Sequence, residues 1–368
     1  MAEKRDLYTT PPPRLPALDG IRGIAVLLVL VSHADMSGDA PAIEWIARLG
    51  DFGVKIFFVL SGFLITTLLA DEHDRTGRIA IGRFVARRAF RIFPAAYVFM
   101  FSIIAAAMLG WVTLKPGDAL HALTYTENFS AAPGWWLGHL WSLSIEEQYY
   151  LAWPLVLALA HPRGGTYVMM ATLIVAPAIR AAIIITSIPG LEEGIERGFV
   201  MAVDGFAAGG LLAMLRDRLE RHDVYMRLLR APWVMALVPL ALVLDQFEHH
   251  PLAFYVVLQP VIYLALAFCL HRSQVATDTS VGHLLNWRPL AWLGTVSYSL
   301  YLWQQPFLAP GGHGVLHSLP VAVPLSILFA WASFHVVERP FLRLRDRWLA
   351  PSSGCLTSAP AAAVGESV

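Results

Sequence analysis

The stretch DGIRGIAVLLVLVSHAD, Asp19 to Asp35, carries Arg22, His33 and Asp35 in an otherwise apolar run. Ionisable groups are costly in hydrocarbon and mark pathways or reaction sites. A histidine with an unperturbed pKa of about 6.5 can stay neutral at pH 7 and take a proton from a hydroxyl, so His33 is a candidate general base. A second stretch, GRFVARRAFRIFPAAY, holds Arg88 and Arg91. Being three apart, they share one helix face and form a fork for phosphate oxygens, with Arg22 as a third candidate donor. In the third, WSLSIEEQYYLAWPL, Ser142, Glu146 and Tyr149 or Tyr150 recur at helical spacing, putting a carboxylate beside hydroxyls.

Each of these groups also has a structural reading. Arg22 can snorkel to the interface, His33 can cap or pack a helix, and a basic cluster beside a span binds lipid headgroups. The tryptophans Trp135, Trp136, Trp141 and Trp153 read as an interfacial belt. Ser61, next to Gly62 in LSGFL, suits close helix approach as well as substrate contact. Asp204 in MAVDGFAAGGLLA can make a helix-packing hydrogen bond or, like Glu146, orient the imidazole. Asp35 is only two residues from His33 and poorly placed to face it on a helix.

The elements that must hold these residues are membrane helices. The 368 residues are 57% hydrophobic and 15% charged, with a mean hydropathy of +0.56, against about 25% charged in a soluble domain. Ten apolar segments approach spanning length, centred on Ile21–Ala34, Gly53–Leu69, Phe93–Trp111, Leu143–Leu159, Tyr167–Ile188, Phe199–Leu215, Trp233–Leu244, Leu252–Leu270, Leu290–Phe307 and Val315–Val337. With the N-terminus inside, only Arg48, Lys55, Lys115, Arg180 and Arg197 of the 27 lysines and arginines fall outside. The expectation is an all-α polytopic transmembrane bundle of about ten spans with both termini cytoplasmic. A signal peptide cleaved near Ala34 is the rival, but it would leave nine spans and reverse the charge balance.

Residues 1–14 read as a cytoplasmic segment, 15–349 as the membrane domain, and 350–368, rich in Ala, Pro and Ser, as a disordered tail. Cys269 and Cys355 are too few for a disulfide framework. Zero net charge argues for no particular partner, and no nucleic-acid partner is expected. Arg22 and His33 are eleven residues apart, roughly 16 Å on a helix, or about half the hydrocarbon thickness.

The strings LPALDGIRGIAVLLVLVSHAD, GVKIFFVLSGFLIT, RRAFRIFPAAY, WSLSIEEQYYLAWPL, VSYSLYLWQQPF and VVERPF run in the order of the acyltransferase 3 family of bacterial integral-membrane acyltransferases, and the chain resembles that family from Leu15 to Phe341. The resemblance implies transfer of an acyl group, commonly acetyl from acetyl-CoA, to hydroxyls of surface polysaccharide, lipopolysaccharide, peptidoglycan, lipo-oligosaccharide signals or macrolide sugars. It implies a multi-pass location in the bacterial plasma membrane, acyl-CoA as co-substrate rather than a tightly bound cofactor, no metal, and membrane lipids as neighbours. Its functional positions fall on Arg22, His33, Ser61, Arg88, Arg91, Glu146, Glu338 and Arg339. Many relatives have a histidine after the tryptophan of SLYLW, where this chain has Gln304. The hydrolase-like domain appended in some relatives is not expected here.

Together these readings suggest acyl-CoA held by Arg22, Arg88 and Arg91, its thioester reaching towards His33, and an acceptor hydroxyl entering from the other side, with Glu146 or Asp204 orienting imidazole or acceptor. A transporter or flippase of a glycan precursor is the alternative, although no repeat of interrupted helices is visible in the two halves.

Overall fold

The structure, a computed structural model, describes residues 16–34, 45–186, 197–310 and 315–349. Asp35, the N-terminal segment 1–14 and the tail from 350 lie outside them. Among the described residues every regular element is helical. The principal ones are α1 (Pro16–Ser32), α2 (Leu49–Thr76), α3 (Ile81–Met108), α4 (Trp141–Thr186), α5 (Phe199–Leu219), α6 (Gln259–Val275), α7 (Arg288–Trp303) and α8 (Leu319–Ser333). Their apolar faces close on two adjoining cores, one around Phe58, Phe99, Leu143, Tyr149 and Phe206, the other around Phe52, Phe63, Ile262 and Tyr263.

Among the described residues six helices are long and apolar enough to cross a membrane, seven if the pair Asp223–Arg230 and Pro232–His249, bent by 62°, makes one span. The sequence suggests ten, and the difference lies in how apolar stretches are divided. Two of the expected segments fall in α4, whose 46 residues break at His161, with φ 57° and ψ 167°. Pro162 follows, and its ring disfavours the helical conformation in the residue before it. The first and ninth segments form α1 and α7, of 17 and 16 residues. The seventh is divided into a 3-10 turn, an eight-residue α-helix and a second 3-10 turn.

Small residues let the central helices touch backbone to backbone. A Cβ added at Gly62 of α2 would overlap the carbonyl oxygen of Phe206, and one at Gly209 of α5 would overlap that of Val59. In a bilayer, where apolar surface gains nothing by leaving lipid, such close packing is a main source of helix association. Gly209→Ala is therefore expected to cost about 1–3 kcal/mol by overpacking. Thermal unfolding of the detergent-solubilised protein should show a lowered midpoint for this variant and none for Gly82→Ala, whose added Cβ would meet nothing within 4 Å.

Two single π-helical turns interrupt the bundle, Phe254–Leu258 ahead of α6 and Phe334–Glu338 after α8. Such turns widen a helix by one residue and re-aim its side chains. Here they carry Tyr255 and Glu338, both discussed below.

Candidate active site

Five helices converge on a cavity of about 100 Å³. α1 contributes Arg22, α2 Ser61, α3 Arg88 and Arg91, α4 Ser142, Glu146 and Tyr150, and α7 Ser297, Tyr298 and Tyr301. Three guanidiniums against one carboxylate give it a cationic lining. Arg22 is 3.6 Å from Asp19 on its own helix. The Arg88 guanidinium lies 5.5 Å from the ring centre of Tyr150 and 5.6 Å from that of Phe84. Aromatic faces stabilise a cation without satisfying its N–H donors, which stay available for an anion.

Glu146, Tyr150 and Ser61 form one unit. Tyr150 Oη donates to Glu146 Oε2 at 2.8 Å, and Ser61 Oγ donates to Oε1 at 3.4 Å. The two hydroxyl oxygens are 3.0 Å apart. Tyr150 follows Glu146 by one helical turn, so their pairing is local; Ser61 joins them from a helix 85 residues earlier. Both Arg22 and Arg88 act electrostatically on the Glu146 carboxylate.

Tyr301, also in the lining, donates to the His139 carbonyl at 2.6 Å and, its one proton being used, accepts from Ser142 at 2.7 Å. The His139 ring packs at 5.4 Å from that of Tyr301 and lies within electrostatic range of His33. His33 itself, half-buried, is not among the cavity's lining residues. Its Nδ1 is 3.0 Å from the Val29 carbonyl oxygen. A carbonyl only accepts, so Nδ1 carries the proton, and Nε2 of the neutral ring presents a lone pair. The ring edge meets Trp135 at 5.4 Å, and Trp135 is fixed by paired hydrogen bonds with Gln305. Gln304, the side chain at which this chain departs from many relatives, donates to Gln305 Oε1 at 3.3 Å and stands close enough to the imidazole to act on it electrostatically.

Several expected arrangements differ. Neither carboxylate orients the imidazole: Glu146 is held by Tyr150 and Ser61, and Asp204 is bound bidentately by Arg180, at 3.1 and 2.6 Å. Arg180, counted among the five cations on the outer side, is fully buried and paired with Asp204. Glu338 lies outside the cavity, accepts from Ser299, which also bonds Ser333, and acts electrostatically on Arg91. Arg339 is exposed and away from the cavity. Asp35 lies outside the described residues. Sequence reasoning missed Ser297, Tyr298, Tyr301 and His139; the first three recur at helical spacing within VSYSLYLW, the only signal that marks them.

Comparison with known proteins finds relatives among bacterial O-acetyltransferases. The chain is 29% identical to the putative peptidoglycan O-acetyltransferase YrhL of Bacillus subtilis, over 89% of this chain and 54% of that protein. It is 28% identical to the O-acetyltransferase OatA of Staphylococcus aureus, over 89% of this chain and 57% of that one. Against the peptidoglycan O-acetyltransferase OatA of Listeria monocytogenes the figures are 27%, 89% and 55%. The chain thus spans a little over half the length of these relatives. No solved structure matches it. With residues 15–336 matching the family described as Acyltransferase domain, the chain is a member of the acyltransferase 3 family.

Proposed function

We propose that this protein is a bacterial plasma-membrane O-acetyltransferase that moves an acetyl group from acetyl-CoA to a hydroxyl of a glycan, peptidoglycan being the acceptor class that the relatives' names suggest. The observation that carries the reading is the cavity in which Arg22, Arg88 and Arg91 face one another across the bundle. A cavity with three permanently charged guanidiniums suits a polyphosphate far better than a neutral solute. The excess of arginine and lysine on one side of the expected spans supports a cytoplasmic placement for this end of the bundle, where acetyl-CoA is made.

In this reading the thioester extends from the arginine end past Tyr301 towards His33. The acceptor hydroxyl oxygen attacks the thioester carbonyl carbon while its proton passes to His33 Nε2. The C–S bond then breaks, the new C–O ester remains on the acceptor, and the CoA thiolate recovers the proton from the imidazolium. Glu146, tied to Ser61 and Tyr150, acts as the counter-charge that keeps three close arginines in one site.

Membranes containing the protein should release free CoA from acetyl-CoA in the presence of acceptor glycan. Arg91→Ala should raise the KM for acetyl-CoA about tenfold or more with little change in kcat, since a charge-assisted hydrogen bond contributes about 1.5–3 kcal/mol. Glycan precursor crossing the membrane with no CoA released would instead establish a flippase.

A further inference from the structure

A second cavity, of about 150 Å³, adjoins the first on the side of the N-terminal ends of α2 and α4. Asp51 and Lys55 from the first turns of α2, Trp141 from the first residue of α4, Arg197 and Met201 at the start of α5, and Glu248, Tyr255 and Gln259 at the approach to α6 line it. Val54 lines both cavities, so the two meet at its side chain. Gly50, next to Asp51, packs so closely on Ser32 that an added Cβ would overlap its hydroxyl. Ser32 precedes His33, which places the imidazole at the same level as this second cavity.

The two linings differ in charge. The first carries three cations and one anion, whereas the second balances Asp51 and Glu248 against Lys55 and Arg197. Lys55 is held by Asp245 at 2.7 Å, and Glu248 by Arg48 at 2.9 Å and by Tyr255. Asp51 and Arg197 both line the cavity and act on each other electrostatically, with no side-chain hydrogen bond between them and another described residue. A charge-balanced lining gives a polyanion no net attraction. Separate acceptors and donors do match the hydroxyls and amide of a neutral sugar, and the indole of Trp141 with the ring of Tyr255 offers flat apolar faces for its C–H side.

Resting on the acetyl-CoA reading of the first cavity, we propose that this second cavity is the acceptor site and that it takes a neutral, hydroxyl-rich sugar unit of the N-acetylhexosamine type. Asp51 and Arg197 hold its polar groups and Trp141 its apolar face, bringing one hydroxyl within reach of both His33 Nε2 and the thioester at the junction of the two cavities, which Val54 lines from both sides.

The test uses the full chain in proteoliposomes with acetyl-CoA and chitotetraose as the probe acceptor, following free CoA and acetylated sugar separately. Asp51→Asn, which preserves shape, and Trp141→Leu should each raise the KM for chitotetraose about tenfold or more and leave the KM for acetyl-CoA within a factor of two. A merely structural effect would move both constants or reduce the folded fraction on size exclusion. Unchanged acceptor KM in both variants overturns the site. CoA release by the wild type without any acetylated chitotetraose overturns the ligand class. If the wild type neither binds acetyl-CoA nor releases CoA, the reading of the first cavity fails and the acceptor proposal falls with it.

Discussion

His33→Ala is expected to lower the rate of acetyl transfer by about 10² to 10⁴-fold, the range for loss of a positioned general base. The size follows from the ring's setting. Nδ1 spends its proton on the Val29 carbonyl one turn back, so the neutral imidazole has one orientation and one accepting nitrogen. Trp135 packs on the ring edge and is itself pinned to Gln305 at both ends, which limits the rotation that would turn Nε2 away. In the proposed mechanism only the neutral ring can take the proton, so transfer should fall as pH drops through the imidazole's titration, approaching tenfold per pH unit, and level off above it. Acetyl-CoA binding should persist in His33→Ala, because Arg22 is eleven residues away on the same helix, roughly 16 Å. Radiolabelled acetyl-CoA binding beside the transfer rate checks both halves. Transfer within tenfold of the wild type would remove His33 from the chemistry.

The sequence identified this site unevenly, and the reasons are physical. Arginines in an apolar chain are conspicuous because hydrocarbon tolerates so few, and Arg22, Arg88 and Arg91 do line one cavity. Glu146 and Tyr150 sit one turn apart, so helical periodicity alone brings them together. Their link to Ser61 spans 85 positions and depends on how α2 packs against α4, which no local pattern encodes. The sequence shows that Arg180 lies within an apolar segment but not what neutralises it there, because its partner Asp204 is 24 residues on. Counting spans fails in a related way: hydropathy measures apolar content, whereas the positive φ at His161 decides where one helix becomes two. The aromatic and hydroxyl residues that line the cavity, Tyr298 and Tyr301, carry no charge to draw attention and are read only from the folded helix α7.

The buried pair of Arg180 and Asp204 should control stability more than any other polar contact in the described residues. Both side chains are wholly inaccessible, and the guanidinium makes two bonds to the carboxylate and two more to the carbonyls of Val200 and Met201. Asp204→Asn leaves a cation in a low-dielectric interior without its counter-charge, at a cost of about 3–5 kcal/mol. Arg180→Met strands the carboxylate and should cost as much. Replacing both together, Arg180→Met with Asp204→Leu, removes the desolvation penalty along with the attraction and should be neutral or stabilising by about 1–4 kcal/mol. Thermal unfolding in detergent measures all three, and single variants as stable as the wild type would show that the pair holds nothing. The same double variant also decides what Asp204 is for. If its carboxylate only anchors α5 to α4, the folded double variant keeps releasing CoA at close to the wild-type rate; if it orients His33, as spacing alone would allow, activity is lost even though the fold is restored. Since Asp204 is bonded to Arg180, while the His33 ring is bonded to Val29, retained activity is the expected result.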